Sequence, residues 1–178
     1  KDILVYTEVL PSKNRNVKIK SIIDVLSVNP GLRDEGYFQV IKQINNSPSP
    51  SILENTWNLF LILATMFPAS RDSQSYIESY VMSKRDTPRL SDLITLCYLR
   101  FRSTCAKGET MELPLFKIQK IPENIYEMPP VFGSSVHEYI WAQSKKYPNL
   151  RVPLPLCVLT QKVLDAGALT TVGIFRVN

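Results

Sequence analysis

The feature that most limits the fold is an apolar run, Leu59 to Phe67, broken only by Ala64 and Thr65 and followed at once by Pro68. It has roughly half of the ~20 residues a membrane-spanning helix needs, so it reads as a helix buried in protein. Proline lacks the N–H that would continue the helix and disfavours helical backbone in the residue before it, so Pro68 ends the segment. The spacing predicts a helix over Ser51 to Phe67, apolar nearly all round from Leu59 onward. Such a helix belongs at the centre of a core.

The flanking segments repeat at helical spacing. Ile22, Ile23 and Leu26 share one face before Asn29-Pro30-Gly31 breaks the pattern. Tyr37, Val40, Ile41 and Ile44 stand at i, i+3, i+4 and i+7 within a helix over Arg33 to Ile44. Asp34 and Glu35 lie in its first turn, where negative charge suits the helix dipole. Tyr76, Ile77, Tyr80 and Val81 form a stripe on a helix starting near Asp72. Ser91 is the expected N-cap of a helix carrying Leu93, Leu96, Cys97 and Phe101. The best strand signal, Leu115 to Ile118, is too short to organise a sheet, so the expected fold class is all-α.

Apolar residues make up 44% of the 178 and charged residues 21%, which places the chain among ordinary globular proteins. Cys97, Cys105 and Cys157 are an odd set without a C-x-x-C pair, as expected of reduced thiols in the cytoplasm. His137 is the single histidine, which argues against an imidazole zinc site, and no metal-ligand set is visible. No Walker loop and no nucleophile with a histidine partner appears.

The formal charge is +5, and its distribution matters more than its size. Between residues 84 and 107 lie Lys84, Arg85, Arg89, Arg100, Arg102 and Lys107, against only Asp86 and Asp92. This stretch is the candidate surface for an acidic partner such as tubulin or an anionic membrane. The competing reading is a solvated helix end whose cations suit the dipole. Nucleic acid is disfavoured, because no aromatic-rich basic motif accompanies the charge.

From Leu113 to Pro130, four prolines punctuate a stretch without sustained period, the pattern of a linker or extended strap. Beyond it, Ser134 or Ser135 caps a helix to about Lys146. Pro153-Leu-Pro155 then opens another helix, with Leu156, Leu159 and Val163 inward and Gly167 at its end. Two helices and a tail bury little surface by themselves, so this second unit is expected to be incomplete.

The run Leu32-Arg-Asp-Glu-Gly-Tyr-Phe-Gln-Val-Ile-Lys-Gln-Ile-Asn-Asn46 resembles the signature of the MyTH4 (myosin tail homology 4) domain. Trp57-Asn-Leu-Phe-Leu-Ile-Leu63 is similar to that family's central helix, and Phe67-Pro-Ala-Ser70 to its stop. Lys1-Asp-Ile-Leu4 with Tyr6 fits its earlier helix, so the N-terminal part of the domain is expected to be missing. Leu32 is expected to anchor the start of its helix, with Arg33, Asp34 and Glu35 tying it to neighbours. At Gly36 the family usually carries a bulky apolar residue. Glycine costs a helix about 1 kcal/mol relative to alanine, and marks either a close helix approach or local looseness. The resemblance implies a helical interaction module of the kind found in unconventional myosins, some kinesins and some GTPase-activating proteins, coupled to microtubules or cargo.

Further on, Val131-Phe-Gly-Ser-Ser-Val136 resembles the opening of a RhoGAP domain. Val152-Pro153 with Cys157 to Leu169 is similar to that domain's first long helix, and Gly173-Ile-Phe-Arg176 to its arginine loop. The resemblance implies that Arg176 is an arginine finger acting on a Rho-family small GTPase (Rac- or Rho-like). A planar, permanently charged guanidinium stabilises the charge that spreads over the transferring phosphoryl, an effect worth about 10³ to 10⁵ in rate. GTP and Mg would belong to the partner, so no cofactor is expected here. The family's lysine and asparagine would fall past Asn178, and the chain as given is expected to lack competent activating activity. The expected organisation is a MyTH4 domain over 1–112, a Pro-rich linker over 113–130 and the start of a RhoGAP domain over 131–178. The other reading is a non-catalytic adaptor or motor-tail module. Both readings imply cytoplasmic location with cytoskeletal association.

Overall fold

The computed structural model describes residues 1–8, 15–108, 113–123, 125, 127–129, 131 and 133–173. The chain divides into two compact units, Lys1–Ile125 and Tyr126–Asn178. Among the described residues the regular elements are all helical, as the spacing predicts.

The first unit holds α1 (Asp2–Tyr6), α2 (Arg15–Val28), a 3-10 turn (Pro30–Leu32), α3 (Arg33–Asn45), α4 (Pro50–Met66), α5 (Arg71–Ser83), α6 (Ser91–Lys107) and α7 (Leu115–Lys120). α4 begins where Ser49, in extended backbone, accepts the Ile52 N–H on its hydroxyl at 3.3 Å, with Pro50 in the first turn. Six consecutive residues, Leu59 to Ala64, are buried, so α4 is enclosed on every side over that stretch. Each large apolar side chain hidden in this way stabilises the fold by about 1.5–3 kcal/mol. α4 packs against α3 and α6. It ends at Phe67, held at φ −125° and ψ 127°, the extended backbone that Pro68 imposes.

α3 buries Tyr37, Val40, Ile41 and Ile44, the four positions of its stripe. The Tyr37 hydroxyl donates to the Phe67 carbonyl at 2.7 Å. Its ring meets Phe101 edge-on at 5.3 Å and lies 5.4 Å from Phe60, so one tyrosine joins α3, α4 and α6. Arg33 is buried: its Nε donates to the Leu26 carbonyl at 3.1 Å and its guanidinium lies 5.1 Å from the centre of the Phe67 ring. Asp34 crosses to the start of α5, accepting from the Ser70 N–H at 2.8 Å, the Ser70 hydroxyl, and the Ser73 hydroxyl at 2.7 Å. Burial raises the Asp34 pKa, but these hydrogen bonds outweigh it and hold the carboxyl below its usual value. A Cβ at Gly36 would lie 3.3 Å from both terminal methyl carbons of Leu26, so this glycine marks a close approach of α3 to α2.

Several local expectations are corrected. Leu32 is 46% exposed and anchors nothing; Arg33 carries that role through its hydrogen bond to α2. Ser91 is the first helical residue, after an N-cap at Leu90 without a side-chain cap bond. On α5 only Ile77 and Val81 of the four-residue stripe are buried. Tyr76 is exposed, and the Tyr80 hydroxyl donates outward to Asn45 at 2.8 Å. Leu115 to Ile118, the best strand signal, lies in α7, which buries Ile118.

The second unit contains α8 (Val136–Ser144) and α9 (Leu154–Asp165). Ser135 caps α8, its hydroxyl accepting the Glu138 N–H at 3.1 Å. Gln143 is fully buried and pins the chain between the helices. Its amide nitrogen donates to the carbonyls of Leu150 at 3.2 Å and Val152 at 2.6 Å, and its oxygen accepts from the Leu154 N–H at 2.9 Å. The α9 side chains expected inward are not: Leu156, Leu159 and Val163 are 54%, 56% and 38% exposed, and the helix has no buried residue. The described part of this unit offers no further helix to cover that stripe. Gly167, at φ 86°, ends α9 as its position suggests, with the Ala168 N–H returning to the Val163 carbonyl at 3.2 Å.

Candidate partner-binding site

α5 and α6 pack as neighbours, joined by a short turn over residues 84–90. The turn is built from its own backbone: the N–H and hydroxyl of Thr87 both donate to the Lys84 carbonyl, at 3.0 and 2.7 Å, and the Leu90 N–H donates to the Thr87 carbonyl at 3.2 Å. Arg89 sits at φ +64°, left-handed backbone that an L-residue other than glycine rarely adopts. The turn carries Lys84, Arg85 and Arg89 with Asp86 as its one anion.

Each of these cations is placed differently. The Lys84 ammonium lies 5.5 Å from the centre of the Tyr80 ring, a favourable cation–π position. Burial, with Tyr76 nearby, pushes the Tyr80 phenol up to about 12, so that ring stays neutral. Arg85 approaches Asp86 at 3.7 Å, and both side chains are largely open to water. Surface pairs of this kind contribute ~0–1 kcal/mol and leave the charge available to a partner. Arg89 is exposed.

The other three candidates lie elsewhere. At 1.5 Å per residue, Arg100, Arg102 and Lys107 are about 14 to 24 Å along α6 from its start. At 100° per residue Arg100 and Lys107 share one side of α6, and Arg102 points roughly opposite. Arg102 faces α5, with Nε 3.8 Å from Glu78 and its guanidinium 5.6 Å from the centre of the Tyr98 ring. Arg100 and Lys107 each have an interaction partner of their own. Charges separated by more than a Debye length, about 8 Å at physiological salt, act independently. The six residues thus divide into a tip (Lys84, Arg85, Arg89) and a distal group (Arg100, Arg102, Lys107), rather than forming one patch. Sequence reading grouped them because they are near in the chain. It missed Tyr80 and Tyr98, whose i+4 spacing to Lys84 and Arg102 was the available signal.

Arg176, the expected arginine finger, lies outside the described residues. Among the described residues no group of three or more His, Cys, Asp or Glu side chains is placed to hold a metal ion. No helix among them is long and apolar enough to cross a membrane.

A helical bundle with one enclosed central helix and a basic tip defines a scaffold that presents charge at its surface. The family model of the MyTH4 domain matches residues 19–117, more than half of the chain, and the chain belongs to that family. A relative, the high molecular weight form of myosin-1 from Acanthamoeba castellanii, is 27% identical over 84 residues. That match takes in 47% of this chain and 5% of the relative, so the chain corresponds to a small part of the myosin. Among solved structures, the myosin VII MyTH4-FERM MF1 domain of Dictyostelium discoideum (mutant 2) superposes with a TM-score of 0.61 at 22% identity. It covers 69% of this chain and 27% of the other, a likeness of fold.

Proposed function

We propose that this chain is a docking module that binds microtubules through the basic tip of the α5–α6 hairpin. Membership of a family coupled to microtubules and cargo supports the reading. The single observation that carries it is the three cations raised on one turn, held by hydrogen bonds from the backbone and the Thr87 hydroxyl and little neutralised by neighbours. Binding of this kind is electrostatic, so it weakens as salt shortens the Debye length. Cosedimentation with taxol-stabilised microtubules across a salt series is the test. Lys84→Glu, Arg85→Glu and Arg89→Glu together should remove most pelleting, and Arg100→Glu with Lys107→Glu should leave most of it. Equal losses in both variants, or pelleting with anionic vesicles alone, would overturn the assignment.

A second reading concerns residues 131–178: the opening of a RhoGAP domain with Arg176 as its finger. The α9 stripe favours it, because Leu156, Leu159 and Val163 have the spacing of core residues and yet are exposed. In the full-length protein, Arg176→Ala should abolish most stimulated GTP hydrolysis by a Rac- or Rho-like GTPase while leaving its binding largely intact. Single-turnover phosphate release decides this, and an unchanged rate would remove Arg176 from the mechanism.

A further inference from the structure

We propose that Thr87 is a phosphorylation site, and that its modification switches off the docking tip. The inference rests on the docking reading above and adds a means of regulating it.

Thr87 lies at the middle of the 84–90 turn, outside regular structure and only partly buried. Lys84 and Arg85 precede it by three and two residues, Pro88 follows directly, and Arg89 stands two residues beyond. Proline disfavours helical backbone in the residue before it, which keeps Thr87 out of both helices. It also has no N–H that an enzyme groove would have to satisfy. This is the chemistry of a substrate for a proline-directed serine/threonine kinase. The γ-phosphorus of ATP bonds to Thr87 Oγ1, its bond to the β–γ bridging oxygen breaks, the hydroxyl proton passes to the kinase's base, and ADP leaves.

The consequences follow from charge and geometry. A phosphothreonine carries about −1.5 to −2 charges at neutral pH and offers three acceptor oxygens. The tip holds three cations against one carboxylate, so one phosphate cancels most or all of its net charge. The phosphate sits among Lys84, Arg85 and Arg89 in sequence and can draw on the cations the partner would use. Modification also removes the hydroxyl proton that Thr87 donates to the Lys84 carbonyl at 2.7 Å, so the turn loses one of its hydrogen bonds.

The test uses the 178-residue chain. It is incubated with a proline-directed serine/threonine kinase and ATP, modification at Thr87 is located by mass spectrometry, and cosedimentation with microtubules is measured before and after. Thr87→Val, treated identically, is the control for modification elsewhere. Phosphorylation at Thr87 should weaken binding on the order of tenfold at low salt, since each basic charge at such a surface contributes substantially. Kinase treatment should leave the binding of Thr87→Val where it stands for the same variant untreated, whatever the loss of its hydroxyl bond to Lys84 costs by itself. Failure of Thr87 to accept phosphate, or unchanged binding once it has, overturns the switch and leaves the docking reading intact. Failure of the unmodified chain to pellet overturns the docking reading and the switch with it.

Discussion

Asp34 shows how much one side chain can settle. It fixes the start of α5 from a neighbouring helix through Ser70 and Ser73, and those bonds hold its carboxyl below the usual range. A group whose folded pKa is depressed stabilises the fold fully above its unfolded pKa, about 3.9 for aspartate. That contribution falls as pH drops through the lower folded value. Asp34→Asn should therefore lower stability by about 1–2 kcal/mol at pH 7, and the gap to wild type should begin to narrow below about pH 4, closing only as pH passes the lower folded value. Urea titrations of both proteins from pH 7 to pH 3 check this; a constant gap would contradict it. At Gly36 the question is steric. Gly36→Leu, which places a bulky residue against Leu26, should destabilise by about 1–3 kcal/mol. Leu26→Ala in the same chain should recover part of the loss, as a double-mutant cycle in thermal unfolding would show. Neither role was fully legible in sequence. The signature placed Asp34 in a first helical turn, but its partners lie thirty-six and thirty-nine positions away. For Gly36 the sequence left close approach and looseness equal, and the Leu26 contact distance decides between them.

Among the elements, the long helices were readable because several turns of 3.6-residue period leave little room for another assignment. α4 was the clearest, since its apolar run and Pro68 fix both its burial and its end. α7 was misread because six residues show less than two full helical turns, and four of them can imitate a strand. The start of α6 shifted by one residue because Leu90 makes no side-chain cap bond that would mark it. The second unit depends on a side chain that no periodicity announces. Gln143 satisfies the backbone at Leu150, Val152 and Leu154, so Gln143→Leu takes the side-chain partner from three part-buried groups. Each such bond contributes about 0.5–1.5 kcal/mol net, and the variant should lose hydrogen-exchange protection at Leu154 ahead of the first unit. On α9, Leu159→Gln should change stability by less than about 0.5 kcal/mol, because the side chain is more than half exposed already. A loss of several kcal/mol in thermal unfolding would mean that the stripe is covered.

For the whole molecule, the helical class was legible in the chain's own periodicity, the family in the resemblance of its motifs, and the candidate surface only in part. Six cations near one another in sequence are parted by the rise and rotation of α6, which no linear reading displays. The tip they leave behind includes Arg89 in left-handed backbone. Relief of that conformation is worth about 1–2 kcal/mol, offset by the ~0.5–1 kcal/mol of extra chain freedom that glycine must give up. Arg89→Gly should thus gain roughly 0.5–1 kcal/mol in urea unfolding, and on the docking reading it should bind microtubules less well. Thermostability and adhesion then select opposite residues at this one position. On the docking reading, a screen that ranks variants by melting temperature alone would enrich glycine there and, round by round, discard the charge that the reading assigns to binding.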